Sequence, residues 1–540
     1  MPVPWAGIKL VQHQPAAAGC EGKMVVMRRT AWGNALDFKR AARNVRAEMG
    51  PSDWHLDPWG WPELDYLVTK DPDLVLQNCM GSGALEYAQI DVPKENWGTR
   101  PAVLLEITDR LMYQALVDRM SLELIGDLSK FAYGWRLPAK NPTKAIYARN
   151  GQQWDSYRGH LSFLANWYSV GLRTDLVSFF ASLPIGSVQG AIQDCTPKGD
   201  IADRLCSFLA GFDEKPGRSG LPQRSFASAA IANMYLKPLD DVLIHHSETV
   251  KIRIGGTKLD TQSWARWMDD MWLFGNDPAA ARRAQMDLQS VAQDNGMNLN
   301  YSKTEVLEGD DLTEAAMHIE HSAVDDAIVS TGDFTPLEEL VDRLLDERER
   351  ASRTTVRFVA KRMRDHGHPY RSGDIMDLAA RMPHVADTWA RLMQENFKRG
   401  ELQDWFLDYT ASGWATHDWA VSQFARMLPS SRVPRKAVRD YFADAVRDSN
   451  TTIAMLSVAA QRLCAWDRSE GRDACRDALK RAATPHARRV LALAALGAGE
   501  RKATVRRWLD PDKENCTTLR MLDDRSFTAP KVTTYFAERI

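Results

Sequence analysis

The most constraining stretch of this chain is Trp-Ala-Arg-Trp-Met-Asp-Asp-Met-Trp-Leu-Phe-Gly at residues 264–275, where Asp269 and Asp270 sit side by side in an otherwise apolar run. A buried carboxylate without a partner is costly enough that folded proteins pair it, hydrogen-bond it or set it against a cation. The pair is therefore either a solvated turn or one wall of a site that holds something positive. Apolar residues on both sides read as two short strands, so the segment is expected to form a hairpin with a two-residue Asp-Asp tip.

A chain of 540 residues, 44% apolar and 26% charged, has the composition of an ordinary globular protein and the length for roughly two to four domains. Its 69 basic and 71 acidic side chains leave a formal charge of -2, so any nucleic-acid surface must be a local patch. Seven cysteines (Cys20, Cys79, Cys195, Cys206, Cys464, Cys475, Cys516) are scattered without a Cys-x-x-Cys pair, which argues against a disulfide framework and against a zinc site. The N-terminal "MPVPWAGIKLVQHQ" lacks a charged segment followed by an apolar core, and no run approaches a membrane span of about 18 apolar residues. A cytoplasmic protein without a membrane partner is the expectation.

From Pro101 to about Leu128 the apolar spacing predicts a helical lead-in, with Thr108 or Asp109 as caps. "LRTDLVSFFASL" (172–183) reads as a strand carrying one acid, Asp175, at its end. "GLPQRSFASAAIANMYLKPLD" (220–240) is a turn feeding a helix, and "VKIRIGGTKLD" (250–260) a hairpin around Gly255-Gly256. A polar helix at 278–295 then leads into "NGMNLNYSKTEVL", a turn, a short strand and Lys303. Beyond about residue 335 strand signals nearly vanish. Short helices joined by Pro, Gly and Asp turns suggest stacked helical pairs of an irregular HEAT-like kind.

An Asp-Asp turn taken alone is more often solvated turn chemistry. Order changes its meaning: a strand with one acid, Gly-Leu-Pro-Gln entering a helix, an Asp-Asp hairpin, then Gly-x-x-Leu-Asn-x-x-Lys-Thr, is the linear layout of a polymerase palm. Over roughly residues 100–310 the chain resembles the reverse transcriptases, in layout most of all the bacterial defence-associated, abortive-infection type. That resemblance implies an α+β right-hand fold of fingers, palm and thumb followed by an all-α, HEAT-like C-terminal domain. The expected divisions are an N-terminal extension and start of the fingers at 1–100, fingers and palm at 101–330, a helical thumb-like segment at 331–400, and the helical repeat-like domain at 401–540.

The family's catalytic acids correspond to Asp175, Asp269 and Asp270, which the resemblance makes ligands of two Mg2+ ions, with Mn2+ as a substitute. Two such metals, about 3.5–4 Å apart, activate a 3′-hydroxyl and stabilise the leaving pyrophosphate. Hard carboxylate oxygens suit magnesium. Phe180 matches the aromatic residue under the sugar of the incoming nucleotide, where a ring excludes a 2′-hydroxyl and favours dNTPs; the alternative is that Phe179 and Phe180 are both core. Gln223 matches a nucleotide-contacting residue, Arg136 in "FAYGWR" a triphosphate contact from the fingers, and Lys303 a lysine near the triphosphate able to protonate pyrophosphate. Arg110 reads as a structural or nucleic-acid contact. Two departures stand out. The glycine that usually follows Gln223 is Arg224, and the tyrosine that usually precedes x-Asp-Asp is Trp267.

Spacing alone puts Arg350, Arg353, Arg357, Lys361 and Arg364 on one helix face, as a phosphate-tracking thumb needs; a solvated basic face is the other reading. His366 and His368 read as loop residues. The implied function is an RNA-directed DNA polymerase of a bacterial antiphage defence system, with an RNA template or associated non-coding RNA, dNTPs and a DNA product as partners, and self-association through the helical domain. Two alternatives stay open. One is a template-independent polymerase, primed by a protein hydroxyl such as Tyr370, Tyr409 or Tyr441. The other is a non-catalytic RNA-binding scaffold, in which loss of a metal acid would be expected.

Overall fold

A computed structural model describes residues 31–49, 53–72, 74–76, 87–144, 147–196, 199–213, 220–254, 257–317, 319–526 and 530–538. The chain is mixed α+β: small sheets lie in its first three-fifths, and only helices follow β9 (Glu305–Glu308) among the described residues.

Nine strands are used below: β1 (Tyr87–Pro93), β2 (Thr99–Leu105), β3 (Ala132–Tyr133), β4 (Val170–Thr174), β5 (Thr249–Ile254), β6 (Thr257–Gln262), β7 (Trp264–Trp267), β8 (Asp270–Gly275) and β9. The central sheet has the order β3-β7-β8-β4-β9, with β3 parallel to β7 and the other neighbours antiparallel. β1 pairs with β2, and β5 with β6, as separate hairpins; Gly255 and Gly256 lie outside the described residues.

Side chains alternate faces along a strand, and β8 is covered on both. Met271 and Leu273 join the main core, whereas Trp272 and Phe274 join a second core with Tyr157, Leu161 and Leu164 of the helix Asn150–Trp167. All four are at most 5% exposed, and burying each contributes about 1.5–3 kcal/mol. Two-sided burial is why this strand reads as a continuous apolar run and not as an alternating one.

Two expectations need correction. Residues 101–105 belong to strand β2, and the helical part runs from Ile107 to Arg119 and again from Ser121 to Ile125, because Pro101–Leu105 pairs across to Tyr87–Asp91 and the apolar run passes from strand to helix without a polar break. The β7–β8 tip is Met268-Asp269, one residue earlier than expected: Trp267 pairs with Asp270, and Met268 takes a left-handed φ of 55°.

The helices beyond residue 430 stack as pairs, Lys436–Arg447 on Ile453–Trp466 and Arg468–Leu479 on Pro485–Gly497. These helices and the preceding Asp418–Arg426 also fold back on the start of the described chain. Arg489 donates to Asp57 (2.6 Å) and Glu63 (2.7 Å) beneath Trp61, Thr518 donates to Glu63 (2.9 Å), and the Trp419 indole donates to the Trp54 carbonyl (2.9 Å). Among the described residues no helix is long and apolar enough to cross a membrane.

Candidate active site

Asp175 leaves the end of β4, and its backbone is held by the Asn300 N–H donating to its carbonyl (2.7 Å). One carboxylate oxygen accepts from the Leu176 N–H (2.8 Å) and the other from the Lys303 ammonium (2.8 Å). Asp269 reaches Asp175 from the β7–β8 tip, carboxyl to carboxyl, through a hydrogen bond. Burial, the neighbouring Asp175 charge and that bond hold the Asp269 carboxyl far above the usual carboxylate range. Two carboxylates this close cannot both ionise without a cation between them.

The one-residue shift of the tip sends Asp270 elsewhere. It begins β8, accepts from the Tyr157 hydroxyl (3.0 Å) and lies 3.9 Å from the Arg173 guanidinium. Burial raises its carboxyl, and Arg173 and Tyr157 partly offset this. Among the described residues no group of three or more acid, His or Cys side chains is gathered for a metal. Asp175 and Asp269 nevertheless fit a divalent cation: they are hard oxygen donors in contact, and their mutual repulsion is what such an ion would relieve.

The pair lies on the wall of a cleft of about 710 Å³ that Phe180, Gln223 and Lys303 also line. Both adjacent rings line the cleft, Phe179 buried at 3% exposure and Phe180 half-buried against the same core. Gly220 locks the Gln223 loop against Phe180: the Leu221 N–H donates to the Phe180 carbonyl (2.8 Å) at a glycine φ of +77°. A Cβ at Gly220 would lie 2.0 Å from that carbonyl oxygen. Gly220→Ala is expected to cost about 1–3 kcal/mol in backbone strain before the clash is added. A lowered thermal midpoint is the result to look for.

Arg136 is not at the cleft. Its guanidinium donates to the carbonyls of Ser129, Ala132 and Leu128, clipping the loop that precedes β3. Besides Lys303, the cleft is lined by Arg149, Arg224 and two cations that flank the β1–β2 turn, Lys94 and Arg100; of these only Arg224 was singled out in the sequence. Lys94 feels both Asp175 and Lys303, and Arg100 feels Asp269. Burial lowers the pKa of both, and Lys94 is lowered further by the two neighbouring cations. Such crowding suits a polyanion. In "VPKENWGTRP" the two cations bracket Asn-Trp-Gly, a turn signal in the sequence itself.

Arg224 also lines the cleft, with a left-handed φ of 62° and its guanidinium 4.8 Å from the Trp54 ring, over which Arg100 lies as well (5.2 Å). Trp267 packs in an aromatic wall with Trp135 (5.9 Å), Trp154 (5.0 Å) and Tyr157 (5.8 Å). Arg110 is buried against Glu48 (2.5 Å), whose other oxygen accepts from the Phe226 N–H (2.6 Å); the pair anchors the start of the Phe226–Tyr235 helix.

The basic stripe is divided. Arg350 lies in the turn before the helix Arg353–Asp365. Arg353 (2.7 Å) and Arg357 (3.1 Å) share Asp387, Arg364 pairs with Glu395 (3.0 Å), and Lys361 is exposed. The Arg353–Arg357 end faces Arg224, whose charge both arginines feel. Tyr409 is buried and Tyr370 donates to Asp342 (3.3 Å). No protein-family model and no curated protein matches the chain.

Proposed function

We propose that this chain is a nucleotidyltransferase of the reverse-transcriptase kind, an RNA-directed DNA polymerase acting in bacterial antiphage defence, with the right-hand arrangement its motif order implies. The observation that carries the reading is the contact between Asp175 and Asp269, acids 94 positions apart in sequence, in a cleft that also gathers Phe180, Gln223, Lys94, Arg100 and Lys303. When bound, two Mg2+ ions supply activation of the attacking 3′-hydroxyl and stabilisation of the pyrophosphate oxygens. Asp175 and Asp269 would hold them, and Asp270 would support the turn from its far side.

The remaining work falls to the chain itself. Lys94 and Arg100 hold the polyphosphate, and Lys303 donates a proton to the departing pyrophosphate. Phe180 sits beneath the sugar, so Phe180→Ala is expected to lower the preference for dNTPs over NTPs about tenfold, roughly 1.4 kcal/mol, measured as the ratio of kcat/KM values.

Arg224 favours a second reading, untemplated synthesis, because a guanidinium stands in the cleft wall where the family has glycine. Purified protein is to be incubated with each dNTP or NTP and Mg2+, with and without RNase pretreatment. No polymer from the wild-type chain, or polymer formed equally by Asp269→Asn, would sink the enzymatic reading. Products that survive RNA removal would select the untemplated one.

A further inference from the structure

Lys94 and Arg100 owe their places to a hairpin whose tip is held by distant parts of the chain. The Asn96 N–H donates to the Glu349 carbonyl (2.9 Å), in the turn before the Arg353–Asp365 helix. The Trp97 ring stacks on His417 (5.9 Å between centroids, 25° between planes) and lies against Trp414 (5.5 Å, 35°), and the Arg381 guanidinium covers Trp414 at 4.9 Å. Asn96 and Trp97 both have left-handed backbones, with φ of 55° and 61°. A bulky aromatic residue seldom adopts that conformation unless its surroundings dictate it. Here the surroundings are the Glu349 turn and the Trp414–His417 socket.

The tip is also tightly coupled to the cations. The Lys94 N–H donates to the Gly98 carbonyl (2.6 Å), and Pro93 pairs with Thr99 immediately before Arg100. A tip that rotates out of its socket therefore carries both cations with it. Strand β1 additionally packs on the helices Asp418–Arg426 and Ile453–Trp466, so one face of the hairpin and its end are both set by helices from the last third of the chain.

We propose that Trp97 is a positioning residue: seated against Trp414 and His417, it holds the β1–β2 hairpin so that Lys94 and Arg100 meet the polyphosphate of the incoming nucleotide. Nucleotide affinity thereby depends on the turn between the helices Arg399–Ala411 and Asp418–Arg426 that carries Trp414 and His417. The inference rests on the nucleotidyltransferase reading, because it gives Lys94 and Arg100 a nucleotide to hold.

The test uses the full chain and its Trp97→Ala, Trp97→Phe, Trp414→Ala and doubly substituted Trp97→Ala/Trp414→Ala forms. Equilibrium binding of each dNTP with Mg2+ is measured by calorimetry, alongside kcat, KM and thermal melting. Trp97→Ala is expected to raise Kd and KM about tenfold and leave kcat at saturating nucleotide within about twofold. Trp97→Phe should restore most of the affinity. Trp414→Ala should reproduce the loss from the other side of the contact, and the double variant should be no worse than either single one, as coupled residues require. Trp414 is 38% exposed, so its replacement carries the test if Trp97→Ala does not fold. A folded Trp97→Ala or Trp414→Ala chain with wild-type nucleotide affinity, or one that loses kcat at unchanged KM, overturns the inference. A wild-type chain that binds no dNTP instead overturns the reading beneath it.

Discussion

Asp269→Asn is expected to lower nucleotide incorporation at least about a thousandfold, roughly 4 kcal/mol of transition-state stabilisation, and at the same time to make the protein more stable. Both effects come from one contact. Asp175 and Asp269 face each other in a buried site, and the amide keeps the shape while removing a negative charge that a metal needs and the metal-free fold resists. The sign of the pH dependence follows. The Asp269 carboxyl is pushed up to about 8, so between its unfolded value near 4 and that point the folded chain keeps a proton that the unfolded chain has lost. The Asp269 contribution to the stability of the metal-free protein therefore falls as pH rises across this window, whereas buried His55 and His160, whose pKa values burial lowers, act in the opposite sense in both wild type and variant. Thermal melts at pH 5 and pH 8, with and without Mg2+, of wild type and Asp269→Asn isolate it; a stability of wild type relative to the variant that does not fall with pH would contradict the carboxyl contact. Asp270→Asn is the control. Its side chain accepts from Tyr157 and feels Asp175 as a neighbouring charge, so a smaller loss of about tenfold is expected. Equal losses at the two positions would show that the hairpin register does not separate their roles.

Arg489→Ala is expected to cost about 3–5 kcal/mol, a large share of the 5–15 kcal/mol that holds a typical domain together. Arg489 is 5% exposed, and its two carboxylate partners, Asp57 and Glu63, are at most 1% exposed in their side chains. Removing the guanidinium leaves two negative charges in the interior, where Thr518 and the backbone N–H groups of residues 59 and 61 are the remaining donors among the described residues. Neutralising all three groups together, as Arg489→Leu with Asp57→Asn and Glu63→Gln, should cost less than Arg489→Ala alone, since the penalty lies in the orphaned charge. Urea unfolding measures both. An Arg489→Ala variant within about 1 kcal/mol of wild type would mean that the C-terminal helices do not depend on this ion pair.

Much of the site could be read from residue types in order. A strand ending in Asp175, the Gly-Leu-Pro-Gln turn and the apolar hairpin are each local, and local chemistry survives in a linear string. The register of the hairpin did not survive, because it depends on Met268 accepting a left-handed backbone, for which a methionine gives no signal. That single step decides that Asp269 enters the cleft and Asp270 turns to Tyr157. Lys94 and Arg100 were missed for a related reason: cations beside a turn are common, and only pairing of β1 with β2 carries these two to the acids. Arg136 shows the converse, a well-placed motif residue whose donors are taken up by three nearby carbonyls.

By itself, then, the amino-acid order determined the mixed α+β class, the helical character after residue 335, and which acids, aromatics and small turn residues could serve a metal-dependent chemistry. Tertiary structure alone decided that Asp175 and Asp269 touch, that Arg353 and Arg357 share Asp387, that the last helices close on Asp57 and Glu63, and that the Trp414–His417 turn closes on Trp97. The physical reason is range. Propensity and patterning act over a few residues, whereas the electrostatics of a buried charge are set by whatever the fold brings within a few ångströms of it.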